Sequence, residues 1–233
     1  MKLRVINPND SETMRQMIEQ TCLDVVAADT ELDVVCGGAG VESVEGFYDG
    51  ARAQVGVLDR VIEGDRGRCA GYLIACADDT GLHAAREIAP GPVIGIGEAA
   101  MHAATLLGSG FSILTAQQKS VPILEQNAFS YGFGRHARGV HAARLPVLAL
   151  SDTSNTVQQE LLIERAKTIL IEDASEVLVL GCAGFAPYRK AMERILGVPV
   201  VDGVRVGILF LEAFVRGGLK TSKRNGYSPG IST

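Results

Sequence analysis

The chain has 233 residues, of which 47% are apolar and 21% charged, a balance that supports one or two packed domains and excludes a disordered polymer. Its 22 Lys and Arg against 27 Asp and Glu leave a net charge of −5, which excludes a broad nucleic-acid footprint, because phosphate binding needs clustered cations. Met1-Lys2-Leu3-Arg4 runs into Asn7-Pro8-Asn9 without a signal-length apolar run, and the longest apolar stretch, Val200–Val215, carries Asp202, Arg205 and Glu212. The expectation is a cytoplasmic protein with no membrane and no nucleic-acid partner.

Short runs of Val, Ile and Leu predict strands at Leu3–Ile6, Leu32–Cys36, Tyr72–Ala75 and Val93–Ile96. A second set falls at Phe111–Leu114, Pro146–Leu150, Val177–Leu180 and Val200–Val201. Helix-length segments lie between them: Glu12–Ala28 after the capping pair Asp10-Ser11, then Asp49–Glu63, Gly81–Ala89 and Gly97–Leu107. Lys119–Tyr131, Thr156–Glu172, Pro187–Leu196 and Val204–Gly217 complete the series. Strand and helix alternate, so the fold class is α/β with mostly parallel sheets covered by helices on both faces.

The two sets of four strands repeat. From Val5 to Cys76 is 71 positions and from Ile113 to Cys182 is 69, and "LIAC" before "PVIGIG" matches "VLGC" before "PVVDGV". This predicts two pseudo-two-fold-related lobes, each a four-stranded sheet flanked by helices, with a cleft between them. In open α/β sheets ligands sit beyond the carboxyl ends of the strands. Four such ends carry polar or reactive groups, in pairs: Asn7 with Thr115, and Cys76 with Cys182.

The five cysteines, Cys22, Cys36, Cys69, Cys76 and Cys182, form no CxxC pair and no zinc-ligand spacing, so they read as free thiols with no metal. Cys22, Cys36 and Cys69 read as core filler or loop residues. Cys76 and Cys182 each sit between a strand and a predicted helix, where unpaired N–H groups favour thiolate and hold a carboxylate or enolate oxygen. Gly181 and Gly184 allow close backbone approach to a ligand. Two opposed thiols suit racemisation at carbon: one removes a proton as thiolate, the other returns one as thiol, and no cofactor is needed where a carbonyl acidifies the C–H bond.

At these residues the chain resembles the Asp/Glu racemase superfamily, within it the hydantoin and allantoin racemase group. The likeness runs through "RVINPN", "GVESVEGFYDGA", "LIACADDTGLHAAREIAPGPVIGIGEAAMHAA", "FSILT", "LPVLAL", "VLVLGCAGF", "VPVVDGV" and "GLKTSK". The resemblance implies a cofactor-independent racemase of 5-substituted hydantoins, with Cys76 and Cys182 as the acid/base pair and Asn7 orienting substrate. It further implies lobes of residues 1–97 plus 208–233 and 98–207, the last helix packing back on the first lobe, and a homo-oligomer, a tetramer or hexamer. The loop after "FSI" usually carries two threonines in this family; here Thr115 is followed by Ala116. Ala77, Thr80, Thr115, Gly181 and Ala183 complete the expected substrate-binding set.

The remaining polar motifs read as structural. Asp78 and Asp79 are expected to cap the helix that follows, and Glu98 with His102 to pair on one helix face. Gly37–Gly40 reads as a flexible loop near the cleft mouth, Phe47 and Tyr48 as core packing, and Lys220–Thr233 as a mobile tail or oligomer contact. Rival functions are allantoin racemisation, aspartate or glutamate racemisation, a related isomerase, and a non-catalytic small-molecule binder with two lobes. An amino-acid substrate would favour a cation in the pocket, and no Lys or Arg adjoins the strand-end loops.

Overall fold

A computed structural model describes residues 1–151 and 155–228. Strands β1 (Lys2–Asn7), β2 (Glu31–Cys36), β3 (Gly71–Ile74) and β4 (Val93–Gly95) form one parallel sheet in the order β2-β1-β3-β4. Strands β5 (Phe111–Thr115), β6 (Ala137–Ala142), β7 (Val177–Leu180) and β8 (Val200–Asp202) form a second, ordered β6-β5-β7-β8. The two orders are the same, and both sheets are wholly parallel. Every residue of β3, β5 and β7 is buried, as unbroken apolar runs in covered parallel strands should be.

Helices α1 (Glu12–Leu23), α2 (Phe47–Arg66), α3 (Leu82–Ile88) and α4 (Ile96–Leu107) follow the strands of the first set. Helices α5 (Val121–Ser130), α6 (Thr156–Glu172), α7 (Arg189–Leu196) and α8 (Gly203–Arg216) follow the second. Ser11 caps α1, its Oγ accepting from the Met14 N–H at 3.3 Å. Asp10, expected in the same cap, instead accepts from the N–H groups of Gly38 and Gly40 at 2.5 and 2.7 Å. That pair of bonds fixes the glycine-rich loop beyond β2.

One strand differs from expectation. Pro146–Leu150 does not pair in a sheet; Val147–Ser151 is a 3-10 turn that buries Val147 and Leu150 against the core. The second strand of the repeat is β6, where Val140 pairs with Ile113. Its sequence, ARGVHA, holds a glycine and two charged or titratable residues, because it is an edge strand with one open side. With β6 in place the repeat is tighter: Val140 lies 27 positions after Ile113, as Val34 lies 29 after Val5.

One apolar core cluster runs from Leu3 and Met14 through Leu73 and Ile96 to Leu114, Leu180 and Phe185, so side chains of both sheets share it. Helix α8 crosses back over α1, β3, α4 and β4. Its approach to β3 needs the absence of a side chain: a Cβ on Gly207 would stand 2.7 Å from Leu73 Cδ1. The segment after α8 is tied down as well, with Lys223 Nζ donating to the carbonyls of Arg86 and Glu87 at 2.6 and 2.9 Å and Tyr227 Oη 2.8 Å from His83 Nδ1. Residues 229–233 of the expected tail lie outside the described residues. Among the described residues no helix is long and apolar enough to cross a membrane.

Overpacking a filled helix–sheet contact costs about 1–3 kcal/mol. Gly207→Val is expected to lower the urea midpoint accordingly, with no change in slope, whereas Gly226→Ala, where a Cβ meets nothing within 4 Å, should stay within about 0.5 kcal/mol of wild type.

Candidate active site

The carboxyl ends of β3 and β7 carry Cys76 and Cys182. Both thiols line one cavity, formed from residues of both strand sets. From the β3 end come Ala75, Cys76, Ala77 and Asp78; from the β7 end come Gly181, Cys182 and Ala183. Thr115 and Ala116 enter from the end of β5, and Thr115 Oγ1 donates to the Gly181 carbonyl at 3.0 Å. Of the expected substrate-binding set, Ala77, Thr115, Gly181 and Ala183 line this cavity.

Asn7 and Thr80 do not line the cavity. The buried Asn7 Nδ2 donates to Asn9 Oδ1 at 2.8 Å, and Asn9 is the residue in the wall. The Ser11 N–H holds the same Asn9 oxygen at 2.9 Å, which leaves the Asn9 Nδ2 without a hydrogen-bond partner among the described residues. Thr80 turns its hydroxyl back to Asp78 Oδ1, at 2.5 Å, and its N–H reaches the same oxygen at 3.2 Å.

The double aspartate divides its work. Asp78 faces the cavity. Asp79 is buried, in the left-handed region at φ 54°, and caps α4 rather than the nearer α3. Its carboxylate accepts from Gly97 and Glu98 N–H, each at 2.8 Å, and from the Tyr131 hydroxyl at 2.9 Å. Tyr131 follows α5, so this carboxylate joins the Cys76 loop to both α4 and the other half of the fold. Glu98 is paired with Arg86, not with His102, whose exposed ring meets Phe133 edge-on at 4.8 Å.

A second tie closes the mouth. The loop before α2 puts Val44 and Glu45 into the wall. Lys119, in the 3-10 turn Gln118–Ser120, pairs with Glu45 and Asp49 at 3.3 and 3.5 Å, and Ser120 Oγ donates to the Glu45 carbonyl at 2.7 Å. Asn127 Nδ2 adds a bond to the Asp78 carbonyl at 3.0 Å. Phe47 and Tyr48, expected in the core, open α2 on the surface, 61% and 73% exposed.

Burial dominates the thiol chemistry. Cys76 stands six residues before α3 and gains little from that helix; burial, then the Asp78 carboxylate, push its thiol well above the ordinary range. Cys182 stands at the N-cap of the 3-10 turn Ala183–Tyr188, where the nearby Gly184 N–H favours its anion, yet burial outweighs this and pushes the thiol up to about 11. The lowering expected from a helix N-terminus is thus outweighed in both places. Sequence reasoning also missed much of the wall: Asn9, Met14, Val44, Glu45, Ser120, Ile123, Leu124 and Val147. These lie on loops or first helical turns, where no periodic pattern marks them.

The Asp/Glu/hydantoin racemase family matches residues 3–211. A hydantoin racemase of Rhizobium meliloti is 39% identical over 228 residues, 98% of this chain and 94% of that protein. The allantoin racemase structure from Klebsiella pneumoniae superposes with a TM-score of 0.96 at 42% identity, covering 100% of this chain and 95% of that one. The allantoin racemase of Pseudomonas fluorescens gives 0.95 at 31% identity, covering 100% and 98%.

Burial pushes Asp79 up to about 7, against the three hydrogen bonds that favour its anion. A group raised in the folded state stabilises fully below its unfolded pKa and loses that contribution as pH rises through the folded value. The stability advantage of wild type over Asp79→Asn should therefore shrink between pH 4 and pH 7.5 in urea titrations. An advantage that grows over this window would mean that the hydrogen bonds outweigh burial.

Proposed function

The chain belongs to the Asp/Glu/hydantoin racemase family and is a racemase, and we propose that it racemises 5-substituted hydantoins by proton transfer between Cys76 and Cys182. The observation that carries the substrate class is the charge of the cavity wall. It holds two carboxylates, Glu45 and Asp78, and among the described residues no Lys, Arg or His. An aspartate or glutamate substrate would bring its own carboxylates into that field uncompensated, at a steep desolvation and repulsion cost. A cyclic ureide is neutral and offers N–H donors that suit such acceptors.

The reaction follows from the thiols. A thiolate on one face takes the C5 proton, and the electron pair moves onto the adjacent carbonyl oxygen as an enolate. The thiol on the other face then returns a proton to C5, giving the opposite enantiomer. Asn9 Nδ2, held by its oxygen and free at nitrogen, is the donor we assign to the carbonyl that becomes the enolate. No cofactor takes part in this scheme. Met14, Val44, Ile123, Leu124 and Val147 give the rest of the wall an apolar character that fits an apolar C5 substituent. Allantoin carries the same ring with a polar ureido group at C5; the likeness to the Klebsiella enzyme and the acceptor Glu45 favour it as the second reading.

The test is an enantiopure 5-isobutylhydantoin, and separately allantoin, in D₂O, following optical rotation and deuterium at C5 together. Wild type should lose rotation and exchange both enantiomers. Cys76→Ser and Cys182→Ser should each lose racemisation by about 10²–10⁴-fold. Each variant should retain exchange of only the enantiomer that faces its surviving thiol. A kcat/KM larger for the isobutyl compound than for allantoin supports the apolar wall as the selector, and the reverse assigns allantoin. Full activity in either variant would end the two-thiol scheme.

A further inference from the structure

We infer that Glu45 is a specificity-determining residue of the site: it accepts from an N–H group at the end of the C5 substituent and turns away a substituent that ends in a carboxylate. This rests on the racemisation proposed above and adds to it the class of substituent that the cavity takes.

Glu45 is held in place from both strand sets. It lies in the cavity wall near the end of the loop that joins β2 to α2. Asp10 holds the first part of that loop through the Gly38 and Gly40 N–H groups. The last part is held from the second strand set. Ser120, at the start of α5, donates from Oγ to the Glu45 carbonyl at 2.7 Å. The stem of Lys119 lies against the loop, since a Cβ on Gly46 would stand 3.2 Å from its Cδ. The Glu45 N–H donates to Asp49 Oδ2 at 3.2 Å, which ties the loop to the first turn of α2.

The carboxylate keeps acceptor capacity for a ligand. Oε1 takes the Ser43 hydroxyl at 3.2 Å and Oε2 pairs with Lys119 at 3.3 Å. Each carboxylate oxygen has two lone pairs, so each keeps one open among the described residues. Other polar groups of the wall are more fully engaged. The Thr115 hydroxyl donates to the Gly181 carbonyl, that of Ser120 to Glu45 itself, and Asp78 Oδ1 takes both the N–H and the hydroxyl of Thr80. The charge of Glu45 is only partly answered. One ammonium, Lys119, serves two carboxylates, Glu45 at 3.3 Å and Asp49 at 3.5 Å, so the three groups together are net negative. The flanks are apolar: Val44 precedes Glu45 in the chain, and Ile123 stands in the first turn of α5, both in the same wall. A hydrocarbon stem packs there while its polar end meets the carboxylate. An amide or urea end offers that carboxylate an N–H; a carboxylate end brings like charge and no donor.

Three hydantoins of similar size separate these terms: the 5-(2-carbamoylethyl), 5-(2-carboxyethyl) and 5-isobutyl compounds. The first two differ in the exchange of an NH₂ donor for an anionic oxygen. The third is the apolar reference that corrects for any general loss of activity in a variant. With kcat/KM read from optical rotation at low salt, wild type should prefer the carbamoylethyl over the carboxyethyl compound by about 100-fold or more. Glu45→Gln removes the charge at nearly constant shape. It should narrow that ratio by about tenfold or more, the carboxyethyl compound gaining relative to the isobutyl reference. Lys119→Met removes the counter-charge from an exposed position and should widen the ratio. A circular-dichroism melt confirms that both variants are folded. A wild type that prefers the carboxyethyl compound, an unmoved ratio in Glu45→Gln, or a ratio that narrows in Lys119→Met overturns the assignment of Glu45. No turnover of any of the three compounds by wild type, or full activity in Cys76→Ser or Cys182→Ser, would instead overturn the reaction proposed above, so the two failures are separate.

Discussion

The site depends on one buried carboxylate. Asp79 occupies a left-handed backbone position, which an aspartate tolerates because its short side chain bonds locally, and which turns the chain sharply after Cys76. From there it satisfies the first free N–H groups of α4 and takes the Tyr131 hydroxyl. Capping a helix from a neighbouring loop is ordinary; here the same group also spans the two halves of the fold. It cannot move without uncovering two helix donors and a half-buried phenol, each costly to leave unpaired. The position of Cys76 is thus fixed by a residue three places away that does not line the cavity. A Cβ on Gly97 would stand 2.2 Å from the Ala77 carbonyl, which shows how closely α4 presses on this loop.

The rim is held by weaker means. Lys119 is 57% exposed on its side chain, and its pairs with Glu45 and Asp49 are of the surface kind, worth at most about 1 kcal/mol and screened by salt. The Ser120–Glu45 bond is a single neutral hydrogen bond. The contrast is functional. The floor, with Cys76 and Cys182, is set by buried strands and a buried carboxylate. The mouth, with Val44 and Glu45, is set by contacts that exchange readily with water.

Much of this was legible in the sequence, for physical reasons. Covered parallel strands write themselves as unbroken apolar runs, and β1, β3, β5 and β7 were read within a residue or two. The duplication made the two cysteines stand out, because equivalent strand ends in equivalent sheets carry the same residue type. Edge strand β6 was not legible: with one side open it needs no continuous apolar run, and the more apolar Pro146–Leu150 took its place in the reading. The division of labour between Asp78 and Asp79 was hidden too. Adjacent aspartates look alike in sequence, and only the left-handed turn at Asp79 sends one carboxylate into the core and the other into the cavity. Asn7 shows the same limit, two residues out of place, because the bond that orients Asn9 comes from Asn7 itself.

The direction of the thiol shifts completes the physical picture. Both cysteines are disfavoured as thiolates in an apolar, partly acidic cavity, so the uncharged pair is the stable form and the thiolate is held at high energy. In the proposed reaction that serves a base that must remove a weakly acidic C–H proton, since a thiol of raised pKa is the stronger base once ionised. It also sets a requirement on the substrate. In the proposed reaction a neutral ring adds no negative charge to a site that holds Glu45 and Asp78 and has to form a thiolate, whereas a carboxylate substrate would suppress that ionisation. On the proposed reading, substrate neutrality and thiol basicity are one constraint, imposed by the same wall.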